Sequence, residues 1–125
     1  MGRRFKNAGY STGIVGKWHL CLPDDDPSNV LDCGFDETLV WTWKVNGQGT
    51  SRYWQPVLWE GTEIKASSDP DDYGPDMFLE KAKDFISSNC ASPFFLYYPM
   101  VLVHSPFTTT PHQGRPDNDM DDPIV

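Results

Sequence analysis

Apolar positions along this chain fall into a few dense runs separated by long polar stretches. Residues 3–8 read as the last turns of a helix. Gly9 closes it, because glycine tolerates the positive φ of a helix C-terminus. "YSTGIVGKW", 10–18, then predicts a short strand with Ile14 and Val15 at its centre. Residues 20–34, rich in Pro, Asp and Asn, read as loop. "GFDETLVWTW", 34–43, predicts a second strand, and "NGQGTS", 46–51, is turn chemistry. "RYWQPVLWEGTEIKA", 52–66, suggests a hairpin about Glu60-Gly61, with Pro56 favouring a sheet edge.

The second half alternates differently. Residues 67–76 form a polar loop whose Pro75 suits the first turn of a helix, where a missing N–H costs nothing. The helix is expected over 76–89, with Phe78, Ala82, Phe85 and Ile86 on one face. "PFFLYYPMVLV", 93–103, reads as a nearly continuous apolar strand, the pattern of a parallel strand covered on both faces. The tail from His104 is polar loop. Strand, excursion, helix, apolar strand is a βαβ-like order. Two core strands do not complete a doubly wound sheet, so the expectation is a slice of a larger α/β domain. Residues 1–125 are taken as one partial domain, with 44–75 a loop and hairpin excursion inside it and no second domain.

Composition narrows the function. The chain has 125 residues and a formal net charge of −8. That balance argues against general nucleic-acid binding, which needs a positive field. It leaves room for a small local anion site. Three cysteines, Cys21, Cys33 and Cys90, are too few for a disulfide framework, although one disulfide stays open. None has CxxC spacing, so zinc is not suggested. No apolar run approaches the ~20 residues of a membrane span, and no signal peptide is visible at the N-terminus.

Three residues are candidates for chemistry. Lys17 and His19 follow Gly16 at the end of the first strand. If the strand continues, i and i+2 share a face about 7 Å apart. Ligands of open α/β sheets bind beyond the carboxyl ends of the strands. Such a pair can hold an oxyanion or protonate a leaving group. On spacing alone, a solvated lysine beside a structurally satisfied histidine fits as well. His104 closes the apolar run 93–103, again where a strand meets a cleft, and Ser105-Pro106 breaks it. His112, in a Thr/Pro-rich loop, reads as structural.

Other features imitate sites. Cys21-Leu22-Pro23 is followed by Asp24, Asp25 and Asp26, which raise a thiol's pKa, so Cys21 reads as non-catalytic. Asp69, Asp71, Gly74 and Glu80 match four positions of a calcium loop, but Tyr73 and Asp76 break the pattern. Asp117, Asp119, Asp121 and Asp122 read as a solvated loop. The aromatics Trp41, Trp43, Tyr53, Trp54 and Trp59 suit a sugar-stacking platform or, better, the small core of the excursion.

These segments carry a resemblance. "FKNAGYSTGIVGKWHL" resembles the second signature of the sulfatase family, and "CGFDE" resembles the Gly-Phe-Asp that follows it. "SRYWQPVLWEGTEI", "YGPDMFLEKAKDFI" and "PFFLYYPMVLVHSPFTTTP" are similar to later family segments, in the same order. The resemblance implies an alkaline-phosphatase-like α/β sandwich, with a mostly parallel central sheet that is incomplete in this chain. It implies hydrolysis of sulfate esters by a formylglycine nucleophile with calcium, and a secreted, periplasmic or lysosomal setting. Lys17 would bind the sulfate, His19 would hold the formylglycine hydrate, and His104 would bind sulfate and protonate the leaving alcohol. The nucleophile segment and the calcium aspartates have no counterpart in these residues, and Asp117-Asn118 follows no apolar strand. The chain alone is therefore expected to be inactive, with no cofactor bound by its own residues. A sulfate ester, sulfated carbohydrates among them, is the implied substrate. A phosphoesterase or phosphonate hydrolase of the same superfamily is one alternative, and a non-catalytic truncated copy or carbohydrate-binding piece is another.

Overall fold

Three apolar runs of the sequence become the parallel centre of a five-stranded sheet. This computed structural model describes residues 1–105 and 107–114. Pro106 and the acidic tail with Asp117, Asp119, Asp121 and Asp122 lie outside the described residues. In chain order the elements are α1 (Gly2–Asn7), β1 (Ser11–Lys17), α2 (Asn29–Asp32), β2 (Glu37–Trp41), β3 (Lys44–Val45), β4 (Gln48–Gly49), β5 (Val57–Glu60), β6 (Glu63–Ala66), α3 (Gly74–Asn89) and β7 (Phe94–Tyr97). The sheet order is β6-β5-β2-β1-β7. β1 pairs in parallel with β2 and with β7, while β5 and β6 add an antiparallel hairpin beside β2. β3 and β4 make a separate two-stranded sheet.

β1 is buried from Thr12 to Gly16. Neighbouring strand residues point to opposite faces, so Ile14 and Val15 seed two cores. Ile14 packs with Trp18, Val30, Phe35, Val40 and Trp59. Val15 packs with Leu39, Trp41, Leu58, Phe78 and Val101. Burying one such side chain fully contributes about 1.5–3 kcal/mol, so these two clusters dominate the stability. α3 lies over the second face with Phe78, Ala82 and Phe85 buried. It settles on β1 at Gly13, where a Cβ would stand 2.8 Å from the Phe85 ring.

Several expectations need correction. The stretch 20–34 is not all loop, since Asn29–Asp32 forms the short α2 and buries Val30 against the first core. α3 begins at Gly74, because Gly74 and Pro75 themselves make the first turn. Ile86 is 43% exposed, so the apolar face of α3 is narrower than its sequence suggests. Pro56 does not mark an edge: it is buried just before β5, which has a strand on either side. The run 93–103 is a strand only over Phe94–Tyr97, and its Tyr97 is 40% exposed. Proline has no N–H to continue a ladder. At Pro99 the chain turns its carbonyl to Lys17 instead, accepting that N–H at 2.8 Å.

Candidate functional site

β1 and β2 run in register, so their last residues, Lys17 and Trp41, are paired side by side. This is the carboxyl end of the parallel strands, the usual ligand edge of an α/β sheet. The preceding Gly16 has φ +120, and a Cβ there would lie 2.2 Å from the Pro99 carbonyl oxygen. Only glycine fits, and that close approach is what lets Lys17 N–H reach Pro99. Trp18 N–H donates to the Trp41 carbonyl at 2.8 Å, which carries the register one residue beyond the strand.

The Trp41 indole gathers the cations. Lys17 Nζ lies 5.9 Å from its ring centre and Arg52 Cζ 5.2 Å. The His19 ring is 5.2 Å from Trp41 and 6.4 Å from Trp43. Lys17 and His19 thus share one side, as the i, i+2 spacing predicts, although the strand itself stops at Lys17. With Trp18, Leu20, Tyr97 and Pro99 they line a cleft of about 260 Å³. Burial, then the charges of Lys17, Arg52 and His104, push the His19 imidazole below its ordinary value of 6.5. A neutral imidazole beside a lysine is a hydrogen-bonding partner that becomes a cation when an anion arrives. Among the described residues Lys17 makes no ion pair with a carboxylate.

His104 does not end a strand: it stands seven residues beyond β7, on an exposed strap. The strap is tied from the 52–54 segment. Arg52 Nη2 donates to the His104 and Ser105 carbonyls at 2.8 and 2.9 Å. Tyr53 Oη donates to the same His104 carbonyl at 3.2 Å, and Trp54 Nε1 to the Thr109 carbonyl at 3.1 Å. His104 Nδ1 lies 2.6 Å from the Ser105 carbonyl, which fits the tautomer with hydrogen on Nδ1 and leaves Nε2 available. Arg52 itself is only 5% exposed. It is the residue that sequence reasoning missed. The readable signal was an arginine set among aromatics in an acidic chain.

The remaining candidates stay apart. His112 is exposed in a turn, and Cys21, Cys33 and Cys90 are free thiols. Cys21 Sγ contacts the neighbouring Leu22 carbonyl at 3.4 Å, and the residue does not line the cleft. Of the five aromatics, Trp41, Tyr53 and Trp59 are core, whereas Trp43 is 47% exposed beside His19. Calcium takes six to eight oxygen ligands. The groups gathered here are nitrogen bases and cations, which do not fit it. Among the described residues no group of three or more His, Cys, Asp or Glu side chains is placed to hold a metal. No helix among them is long and apolar enough to cross a membrane.

Fold and cleft together describe an α/β scaffold with a cationic edge at the carboxyl ends of its parallel strands. The Sulfatase family model matches residues 1–122, and the chain belongs to the sulfatase family. Its mixed α/β sheet is that of a partial alkaline-phosphatase-like sulfatase domain. It is 29% identical to an arylsulfatase of Hemicentrotus pulcherrimus, over 88% of this chain and 23% of that protein. It is 28% identical to arylsulfatase J of Mus musculus, over 83% and 18%. It is 32% identical to N-acetylgalactosamine-6-sulfatase of Sus scrofa, over 88% and 24%. The chain therefore spans about a quarter or less of the length of these relatives.

Proposed function

We propose that this chain supplies the sulfate-holding part of a sulfuric ester hydrolase. Residues 1–125 are then one part of its catalytic domain, with 44–75 as an excursion that delivers Arg52. The observation that supports this most is the convergence of Lys17, His19 and Arg52 on Trp41 at the carboxyl edge of the sheet. Lys17 holds a sulfate oxygen as a fixed point charge. His19 donates a hydrogen bond to the bound group and takes up charge as it arrives. As an imidazolium, His104 passes its Nε2 proton to the leaving alcohol oxygen and is left as the neutral ring whose Nδ1–H stays on the Ser105 carbonyl. The family's formylglycine and calcium would supply nucleophile and Lewis acid from elsewhere; no step is assigned to them through these residues. The exposed Trp43 beside His19 favours an alcohol with a flat apolar face, as a sugar ring has. The similarity to N-acetylgalactosamine-6-sulfatase points the same way.

The test is hydrolysis of 4-nitrophenyl sulfate and 4-nitrophenyl phosphate by the protein carrying this chain. Sulfate turnover that collapses in Lys17→Ala and His104→Ala is expected. Preference for the phosphate would move the assignment to a phosphoesterase. Turnover indifferent to both substitutions would remove the cleft from the reaction.

A further inference from the structure

Arg52, Tyr53 and Trp54 are three consecutive residues whose side chains all donate to backbone carbonyls of one strap, at His104, Ser105 and Thr109. Carbonyl oxygens on an irregular strap have no ladder to satisfy them, and each bond to a charged donor contributes about 1.5–3 kcal/mol. The guanidinium takes both of its strap bonds through one nitrogen and lies 4.8 Å from the Tyr53 ring centre and 5.2 Å from that of Trp41. One planar cation therefore bridges the strap that carries His104 and the indole beside Lys17 and His19.

We propose that Arg52 is a positioning residue which holds His104 against the Lys17–His19 pair and adds a further cation to that anion site. This rests on reading the cleft as a sulfate site. The geometry gives the residue two separable jobs. Its planar guanidinium, lying over the Tyr53 and Trp41 rings, holds the donating nitrogen on the strap, which a lysine's freely rotating ammonium does poorly. Its charge acts on the cleft, which a lysine preserves. The charge is already felt at His19, whose facing charged or titratable groups are Lys17, Arg52 and His104.

The two jobs separate in the imidazole resonances of the full chain, titrated with sodium sulfate against sodium chloride. His112, exposed in its turn, serves as the internal reference. In the wild type, the His19 and His104 rings should move together along one binding curve. Arg52→Gln should weaken sulfate about tenfold, the loss of one charge-assisted contact, and His104 should stop following His19. Arg52→Lys should restore affinity to within about threefold but leave His104 uncoupled. Arg52→Gln with wild-type affinity and both rings still moving together overturns the proposal. If Arg52→Gln does not fold, Arg52→Lys decides, and a wild-type His104 response there overturns it. If wild-type chain ignores sulfate, the sulfate reading fails on its own. The latch is then judged without sulfate: a His104 ring shift displaced in Arg52→Lys supports it, and an unchanged one overturns it.

Discussion

The two ends of the β1–β2 pair handle charge in opposite ways. Around the amino end of β2, Asp36, Glu37 and Glu60 each have a cation against them. Asp36 meets Lys6 at 2.6 Å, Lys81 meets Glu60 at 3.0 Å and Glu37 at 3.9 Å, and Lys65 also pairs with Glu60. Lys65 and Lys81 hold the Glu60 carboxyl below its usual range, against the opposing effect of burial. At the carboxyl end, Lys17, Arg52 and His19 gather around the Trp41 indole, and His104 acts on the same His19 ring. Like charges gathered in a partly buried corner repel more than they would in bulk water, and partly exposed ion pairs, worth about 0–1 kcal/mol each, do little to offset that. Aromatic faces return about 1 kcal/mol per cation, and a neutral His19 relieves more. Self-compensated charge builds structure; uncompensated like charge waits for a ligand.

The sharpest way to break this contrast is turnover by the protein carrying this chain. Lys17→Ala should lower kcat/KM for an aryl sulfate by about 10²–10³, the scale of a lost oxyanion contact. Glu60→Gln at the paired end should change it less than twofold. Equal losses would erase the distinction.

Next in size is backbone strain. Gly16 and Gly61 both have positive φ, but a Cβ at Gly61 meets nothing within 4 Å. Gly16→Ala should cost about 3 kcal/mol or more in denaturant unfolding, and Gly61→Ala about 1 kcal/mol. The Gly16 variant should also lose sulfate affinity, since Lys17 N–H is tied at the same point.

The pH response follows from His19. Its folded value lies below 6.5, so between that value and 6.5 the unfolded chain binds more protons than the folded one. Stability should therefore rise with pH through this window and level off above it. Sulfate favours the charged ring, so sulfate affinity should move the other way, falling by up to about tenfold per pH unit as pH rises above the folded value. Calorimetry in buffers of different ionisation enthalpy should show proton uptake on binding above that pH. Proton release would contradict the site. The smallest effect is Glu60→Gln, expected to cost about 1 kcal/mol or less in melting experiments and to vanish at high salt.

Local pattern made the first strand, the hairpin at Glu60-Gly61 and the amphipathic α3 readable. Lys17 and His19 were readable too, because strand end and i, i+2 spacing are properties of a single segment. What stayed hidden depends on distant partners. The brevity of β7 follows from Pro99 turning its carbonyl to Lys17, which no window around residue 99 contains. α2 is four residues long and owes its place to Val30 entering the core under Trp59. Arg52 acquires its role only when residues 104 and 105 fold back onto it.

The Arg52-Tyr53-Trp54 latch spans 51–55 residues of chain. Loops that long close late, because their entropy is lost before any contact rewards it. Lys17 and Trp41, only 24 positions apart in the β1–β2 ladder, are set earlier. On the ribosome the cleft would thus exist as a half-site until the strap emerges. In refolding followed by ring resonances, His19 should reach its native shift before His104, and the order of assembly would be written in two histidines.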